Sequence, residues 1–227
     1  MNFWLVLHSG PGNAVFNMAM DEALLEEMPR SLKPLLRFYS WAEPSASFGY
    51  FQKFSDVERS TQLRPLVRRP TGGGLVPHDG DWTYSLVFPT NHEWYLTTAT
   101  ESYQRVHAWI QGAFAQLQIS TELAPCCRKS EPGQCFAGYE KFDLLWHGKK
   151  IAGAAQRRNK LGLLIQGSVQ PPPISIQRTV WEAAMREAGK QMLKAEPTEF
   201  QPSAELLNRV NELSLRKYSQ TGYNEKR

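Results

Sequence analysis

Residues 68–89 read RRPTGGGLVPHDGDWTYSLVFP. Gly72, Gly73 and Gly74 permit positive φ and let a backbone approach a ligand with no Cβ in the way. Their N–H groups can converge on a carbonyl oxygen, a carboxylate or a phosphate. Arg68 and Arg69 stand just before them. Side chains alternate along a strand, so one arginine faces inward and the other outward, and at most one faces a pocket. The segment DWTYSLVFP reads as a strand. Two strands around a glycine-rich turn predict a hairpin-like or adjacent pair. The Gly-Lys-Ser/Thr ending of a Walker loop is absent, and so is the Gly-x-Gly-x-x-Gly spacing of a dinucleotide fingerprint. On the residues alone two readings stay open: a turn beside solvated arginines, or one wall of a binding site. His78 lacks a Ser-x-Gly elbow or a spaced carboxylate that would make a triad. Asp79 and Asp81 read as turn residues.

Working outward, FWLVLHS and PLLRFYSW read as strands, and AEPSASFGYFQ as a loop into a strand or turn. A helix is expected from about Asn17, which can cap it, to Glu27 before Pro29. ATESYQRVHAWIQGAFAQLQI is the clearest helix, with apolar residues at steps of three and four. STELAPCCRKSEPGQCFAGYEK is loop-like. FDLLWHGKKIAGAAQRRNKLGLLIQGSV reads as three strands, with turns at His147-Gly148 and Asn159-Lys160. A helix follows PPP, SAELLNRVNELSLRKYSQ is a last helix, and TGYNEKR reads as a frayed tail. Strands come in runs with helices between the runs, which points to an α+β fold rather than a doubly wound parallel one.

The chain has 227 residues, 41% hydrophobic and 21% charged. This suits one domain spanning residues 1–227, with a helical C-terminal segment at about 174–220. The formal charge of +4 comes without a dense Lys/Arg block, so nothing indicates nucleic acid, and an acidic protein partner fits as well. Three cysteines, two of them adjacent, make no disulfide framework and point to a reducing compartment. The N-terminus lacks a basic leader and a signal-length apolar run, and no run approaches a membrane span. The expectation is a soluble cytoplasmic protein, with a monomer as the default.

Two further places can carry chemistry. Cys135 lies in GQCFAGYEKFDL among Arg128, Lys129 and Lys141, where a thiol pKa can be depressed. A zinc site from Cys126, Cys127, Cys135 and His147 fits no standard spacing, and no metal is expected. Lys150 lies in HGKKIAGAAQRR, where Gly153, Ala154 and Ala155 leave room for a ligand against the strand. A lysine entering a pocket there can neutralise an anion or polarise a carbonyl.

In order, NMAMDEALLEE, PSASFGYFQ, RRPTGGGLVPHDGDWTYSLVFP and GKKIAGAAQRR…GLLIQGSV resemble the lipoate–protein ligase and octanoyltransferase family, from about Asn17 to Val169. Its catalytic fold is shared with biotin–protein ligases and class II aminoacyl-tRNA synthetases. The resemblance implies an α+β domain with a central mixed or antiparallel sheet flanked by helices. It also implies attachment of an octanoyl or lipoyl group to a lysine of a carrier domain. The cysteine-dependent transferases carry a loop cysteine before a YDL-x-x-x-GKK strand. Here Cys135 stands seven residues before Phe142 of FDL. Gln166 stands where a histidine is common, and Ala137, Gly138 and Tyr139 stand where a proline-serine pair is common.

On this resemblance Cys135 is the nucleophile and Lys150 orients the acyl carbonyl. Arg68, Arg69, Gly72, Gly73, Gly74, His78, Gly153 and Ala154 line the substrate, with His78 fixing the glycine loop. No cofactor is needed; the partners are acyl carrier protein and the glycine cleavage H protein or E2 lipoyl domains. The alternatives are an ATP- and Mg²⁺-dependent ligase, a biotin–protein ligase, and a lipoyl-domain binding module without turnover.

Overall fold

Trp82, Tyr84, Leu86 and Phe88 enter one apolar cluster, and Val87 enters a second. A strand buried on both faces shows this period of two. In the computed structural model, which describes residues 3–128 and 138–226, it lies inside an eight-stranded sheet. The first half of the chain forms β1 (Phe3–Gly12), α1 (Ala14–Ser31), β2 (Leu35–Trp41), β3 (Ser45–Phe48), α2 (Phe54–Ser60), β4 (Leu66–Arg68), β5 (Val76–His78), β6 (Trp82–Phe88), α3 (Glu93–Leu96) and α4 (Ala99–Gln116). The second half forms β7 (Glu122–Leu123), β8 (Leu144–Trp146), β9 (Lys149–Asn159), β10 (Gly162–Val169), α5 (Arg178–Leu193), β11 (Glu196–Glu199) and α6 (Ala204–Leu213). A π-helical stretch (Ser214–Tyr218) and α7 (Thr221–Asn224) complete it.

The large sheet runs β11-β1-β2-β6-β10-β9-β8-β7. β1 pairs parallel with β11 and β2, and the remaining pairs are antiparallel, so the sheet is mixed. One face is covered by α4 and α5, through Trp4, Trp109, Phe114 and Trp181. The other is covered by α1 and α6, through Met18, Leu24, Leu206 and Val210. A second sheet, β4-β3-β5, rests on Ala46, Phe48, Val57 and Leu75. The α+β architecture with helices on a central sheet is as expected. Among the described residues no helix is long and apolar enough to cross a membrane.

Local differences have physical causes. Helix α1 starts earlier than expected because Asn13, not Asn17, is the cap: its side chain accepts from the Phe16 N–H. Asn17 is buried and donates to the carbonyls of Gly12 and Ser40. Pro29 lies inside the helix without ending it. The strands flanking the glycines do not pair with each other. β4 and β5 both pair with β3, one on each side, and β6 belongs to the large sheet. The segment expected to be a frayed tail contains α7, and the strand β11 lies inside the C-terminal segment read as helical.

Candidate active site

The alternation of β6 and β10 builds the floor. Trp82, Tyr84, Leu86, Phe88, Leu163, Ile165 and Val169 face α4 and α5, and Thr83, Ser85, Gln166 and Ser168 face the other way. Register pairs Gln166 with Ser85 and Ser168 with Thr83, so the four form one polar patch. On the next strand Ala155 pairs with Gln166 and Gly153 with Ser168, so both lie on that patch's face.

Lys150 and the glycine loop converge on Gly153 and Ala155. A Cβ built on Gly153 would stand 2.8 Å from Lys150 Cε, and one on Gly73 would stand 3.4 Å from Ala155 Cβ. Residue 153 must be small for the lysine to lie across it. Ala154 faces the opposite side and packs against the core under α4; the alternation of β9 makes Ala155 the neighbour of the loop.

Lys150 Nζ is 2.7 Å from Asp143 Oδ2, with the carboxylate fully buried and the lysine side chain 11% exposed. Asp143 also accepts the Glu140 N–H at 2.7 Å and the Tyr103 hydroxyl. Burial, and then the Asp143 charge, push the Tyr103 hydroxyl far above its ordinary range. His107 lies one helical turn on, its Nδ1–H donated to the Tyr103 carbonyl at 2.9 Å. Burial drives its pKa down to about 4; Asp143 opposes this and Lys150 adds to it. The folded state therefore binds fewer protons at His107 than the unfolded chain does. Its stability contribution is present above pH 6.5 and is lost as the pH falls from there toward 4. Urea unfolding at pH 5 should show about 2 kcal/mol less stability from this residue than at pH 7. His107→Gln should flatten that difference, and an unchanged pH dependence in the variant counts against the assignment.

A second network joins α1 to the floor. Asp21 is fully buried and accepts from Arg37 at 2.7 Å, Ser85 at 2.7 Å, Tyr39 at 3.1 Å and the Gln166 amide at 2.7 Å. The Gln166 carbonyl oxygen accepts from Thr71 at 2.8 Å, which ties the start of the glycine loop to β10. Gln166 thus serves as a bridge between Asp21 and the start of the glycine loop.

The arginine pair divides as strand alternation requires, but both members are buried. Arg69 donates through Nε and NH2 to the Gly72 carbonyl at 3.0 and 2.7 Å, and through NH2 to the Gly74 carbonyl at 2.7 Å. Arg68 points the other way. It lies over the Phe48 ring and donates to the carbonyls of Tyr50, Gln52, Tyr223 and Asn224. It fastens the C-terminal tail to the small sheet, while Arg69 shapes the loop. Gly49 completes the crossing: a Cβ there would lie 1.8 Å from the Gly73 oxygen, so only glycine fits.

His78 bonds to Asp81 and Ser47. Its Nδ1 lies 2.9 Å from Asp81 Oδ2 and its Nε2 lies 2.8 Å from Ser47 Oγ. The ring stacks on Trp41 with centroids 3.8 Å apart and planes at 15°. Burial lowers the His78 pKa, opposed by Asp81. Asp81 is not a solvated turn residue. It is buried and also accepts from Thr83 at 2.9 Å and Ser168 at 2.6 Å.

The sequence reading missed Asp143, Tyr103, Asp21 and Ser47, and it put Ala154 rather than Ala155 against the substrate. Only Asp143 had an available signal, its place in FDL beside the lysine strand. Cys135 lies outside the described residues, between Arg128 and Tyr139, which pair as an isolated antiparallel bridge. Cys126 and Cys127 are exposed free thiols.

Residues 13–170 match the family described as Lipoyl protein ligase A/B catalytic domain. An octanoyltransferase LipM of Staphylococcus epidermidis is 36% identical over 179 residues, which is 73% of this chain and 65% of that protein. The chain thus spans a little under two thirds of that relative's length. By fold it is similar to a lipoate-protein ligase A solved with ATP bound, with a TM-score of 0.82, 22% identity and 99% of each chain covered. It is also similar to a bi-partite lipoate protein ligase of Thermoplasma acidophilum, solved in a study of that ligase and its E2 lipoyl domain. There the TM-score is 0.75 at 22% identity, covering 99% of this chain and 96% of that one. With the family match over residues 13–170, the chain belongs to the lipoyl protein ligase A/B catalytic domain family.

Proposed function

We propose that the chain is an acyltransferase that moves an octanoyl or lipoyl group from acyl carrier protein, through a thioester on Cys135, to a lysine of a lipoyl-carrier domain. The observation that carries this reading is the 36% identity over 179 residues to a protein named octanoyltransferase. Cys135 just before FDL and the Asp143–Lys150 pair, 2.7 Å apart, support it.

In the first step the Cys135 thiolate attacks the carbonyl carbon of the acyl thioester on the carrier. The new C–S bond forms, and the carrier leaves as its own thiolate. One thioester replaces another, so the exchange is close to balanced in free energy. In the second step the neutral amine of the target lysine attacks the acyl-enzyme. An amide forms, Cys135 leaves as thiolate, and the amine's proton passes to that sulfur. This step is downhill because an amide is more stable than a thioester. Lys150, held by buried Asp143, places a positive charge beside Gly153 and steadies the carbonyl oxygen as it gains charge. Glycine cleavage H protein and E2 lipoyl domains are the proposed acceptors, and the net charge of +4 suits acidic carriers.

The second reading is an ATP-dependent lipoate ligase, favoured by the fold likeness to a ligase solved with ATP. One experiment separates the two: offer octanoyl-carrier protein without nucleotide, and separately lipoate with ATP and Mg²⁺, and measure modification of a lipoyl domain. Product in the first reaction alone is expected. Product in the second alone would replace the transferase reading with the ligase one.

A further inference from the structure

The contacts around His78 have a fixed direction. Arginine can only donate, so Ser47 Oγ accepts from Arg69 NH1 at 3.3 Å, as the Ser47 carbonyl does at 3.1 Å. His78 Nε2 lies 2.8 Å from the same oxygen. The Asp81 carboxylate can only accept, so the imidazole proton lies on Nδ1, donated to Asp81 Oδ2 at 2.9 Å, and the bare Nε2 takes the Ser47 hydroxyl proton. The other tautomer would set a bare Nδ1 against a carboxylate oxygen, so it is the Asp81 contact that fixes the tautomer. Thr83 and Ser168 hold Asp81 from below, and Trp41 holds the plane of the ring. The chain of donors thus runs Arg69 to Ser47 to His78 to Asp81.

The other end of Arg69 grips the carbonyls of Gly72 and Gly74. A trans peptide is planar, with its N–H opposite its C=O. With those two carbonyls turned toward Arg69, the N–H groups of Gly73 and Leu75 face away from it.

We propose that Asp81, His78 and Ser47 form a hydrogen-bonded relay that sets the direction of Arg69 and, through it, presents the N–H groups of Gly73 and Leu75 to the reacting carbonyl. The three are positioning residues, and the proposal rests on the acyl-transfer reading for what the loop donors serve. The arrangement has the connectivity of a serine–histidine–aspartate triad. Ser47, however, is only 3% exposed, and its oxygen already accepts from Arg69. Ser47 is therefore not the nucleophile.

The test uses nitrogen-15 NMR on the full chain, together with transfer kinetics. In the unaltered protein the His78 ring should show the neutral tautomer with the proton on Nδ1; a proton on Nε2 overturns the relay, and this measurement needs no variant. Ser47→Ala should shift the amide resonances of Gly73 and Leu75, and Ser47→Thr, which keeps the hydroxyl, should return them. Unmoved amides in a folded Ser47→Ala protein overturn the proposal. In octanoyl transfer, Ser47→Ala should lower kcat about 10- to 100-fold with KM nearly unchanged, the scale set by misplaced donors. Ser47→Thr should recover most of that loss. An unchanged kcat also counts against it, as does stoichiometric labelling of Ser47 by a fluorophosphonate. If the unaltered protein makes no product from octanoyl-carrier protein, the acyl-transfer reading falls, while tautomer and amide shifts still decide the relay.

Discussion

Cys135→Ala is expected to lose ATP-independent octanoyl transfer by a factor on the order of 10⁴ or more, because the covalent route disappears with the sulfur. No other group proposed for the site supplies a nucleophile. Lys150 is engaged with Asp143, and Ser47 is buried under Arg69. Intact-mass spectrometry after incubation with octanoyl-carrier protein should show one octanoyl group on the unaltered chain and none on the variant. Cys126 and Cys127 are exposed and provide an internal control: an adduct that survives Cys135→Ala would be adventitious acylation of one of them. Cys135→Ser should still fold, and transfer should be slow, since a hydroxyl is a far weaker nucleophile than a thiolate at neutral pH. Full lipoylation with lipoate and ATP in Cys135→Ala would sink the transferase reading in favour of the ligase.

Lys150→Ala is expected to lower kcat about 10²- to 10³-fold, the range for losing one group that stabilises a developing oxyanion. Stability complicates the reading, since Asp143 is fully buried and 2.7 Å from Lys150. Removing one partner of a buried pair leaves an uncompensated charge and typically costs about 3–5 kcal/mol. Asp143 retains the Tyr103 hydroxyl and the Glu140 N–H, so the cost should lie at the lower end. The double variant Lys150→Met/Asp143→Asn removes both charges and should recover stability without recovering activity. Thermal unfolding and single-turnover acyl transfer, measured on the single and double variants, separate the two effects. A double variant that regains kcat along with stability would show that the lysine acts only by holding the fold.

Much of the fold was legible because strand and helix periods are local properties. The strand over residues 82–88 and the helical spacing from Tyr103 to Leu117 survive into the structure, the strand buried along its whole length and the helix along its apolar stripe. Where local signals failed, a distant partner had taken over. TGYNEKR looks like a frayed end, yet Arg68 binds the carbonyls of Tyr223 and Asn224. Asn17 has the chemistry of a cap and is used instead to hold Arg37 through its side-chain and main-chain oxygens. Asp81 has the composition of a turn residue and is buried beneath His78.

For the site, the sequence by itself determined the parts: a glycine loop behind two arginines, a histidine after it, a lysine on a strand of small residues, and a loop cysteine. It also determined the family, because those parts occur together in one order. Only the tertiary structure decided their arrangement. Which arginine shapes the loop follows from the pairing of β3 between β4 and β5. Which small residue faces Gly73 follows from the register of β9 against β10. That Lys150 sits against a buried aspartate, and His78 against Ser47 and Asp81, depends on hydrogen bonds between residues brought together by chain crossings. Spacing along a chain records which face of a strand a side chain takes; it does not record what lies on that face, because the neighbours come from other strands.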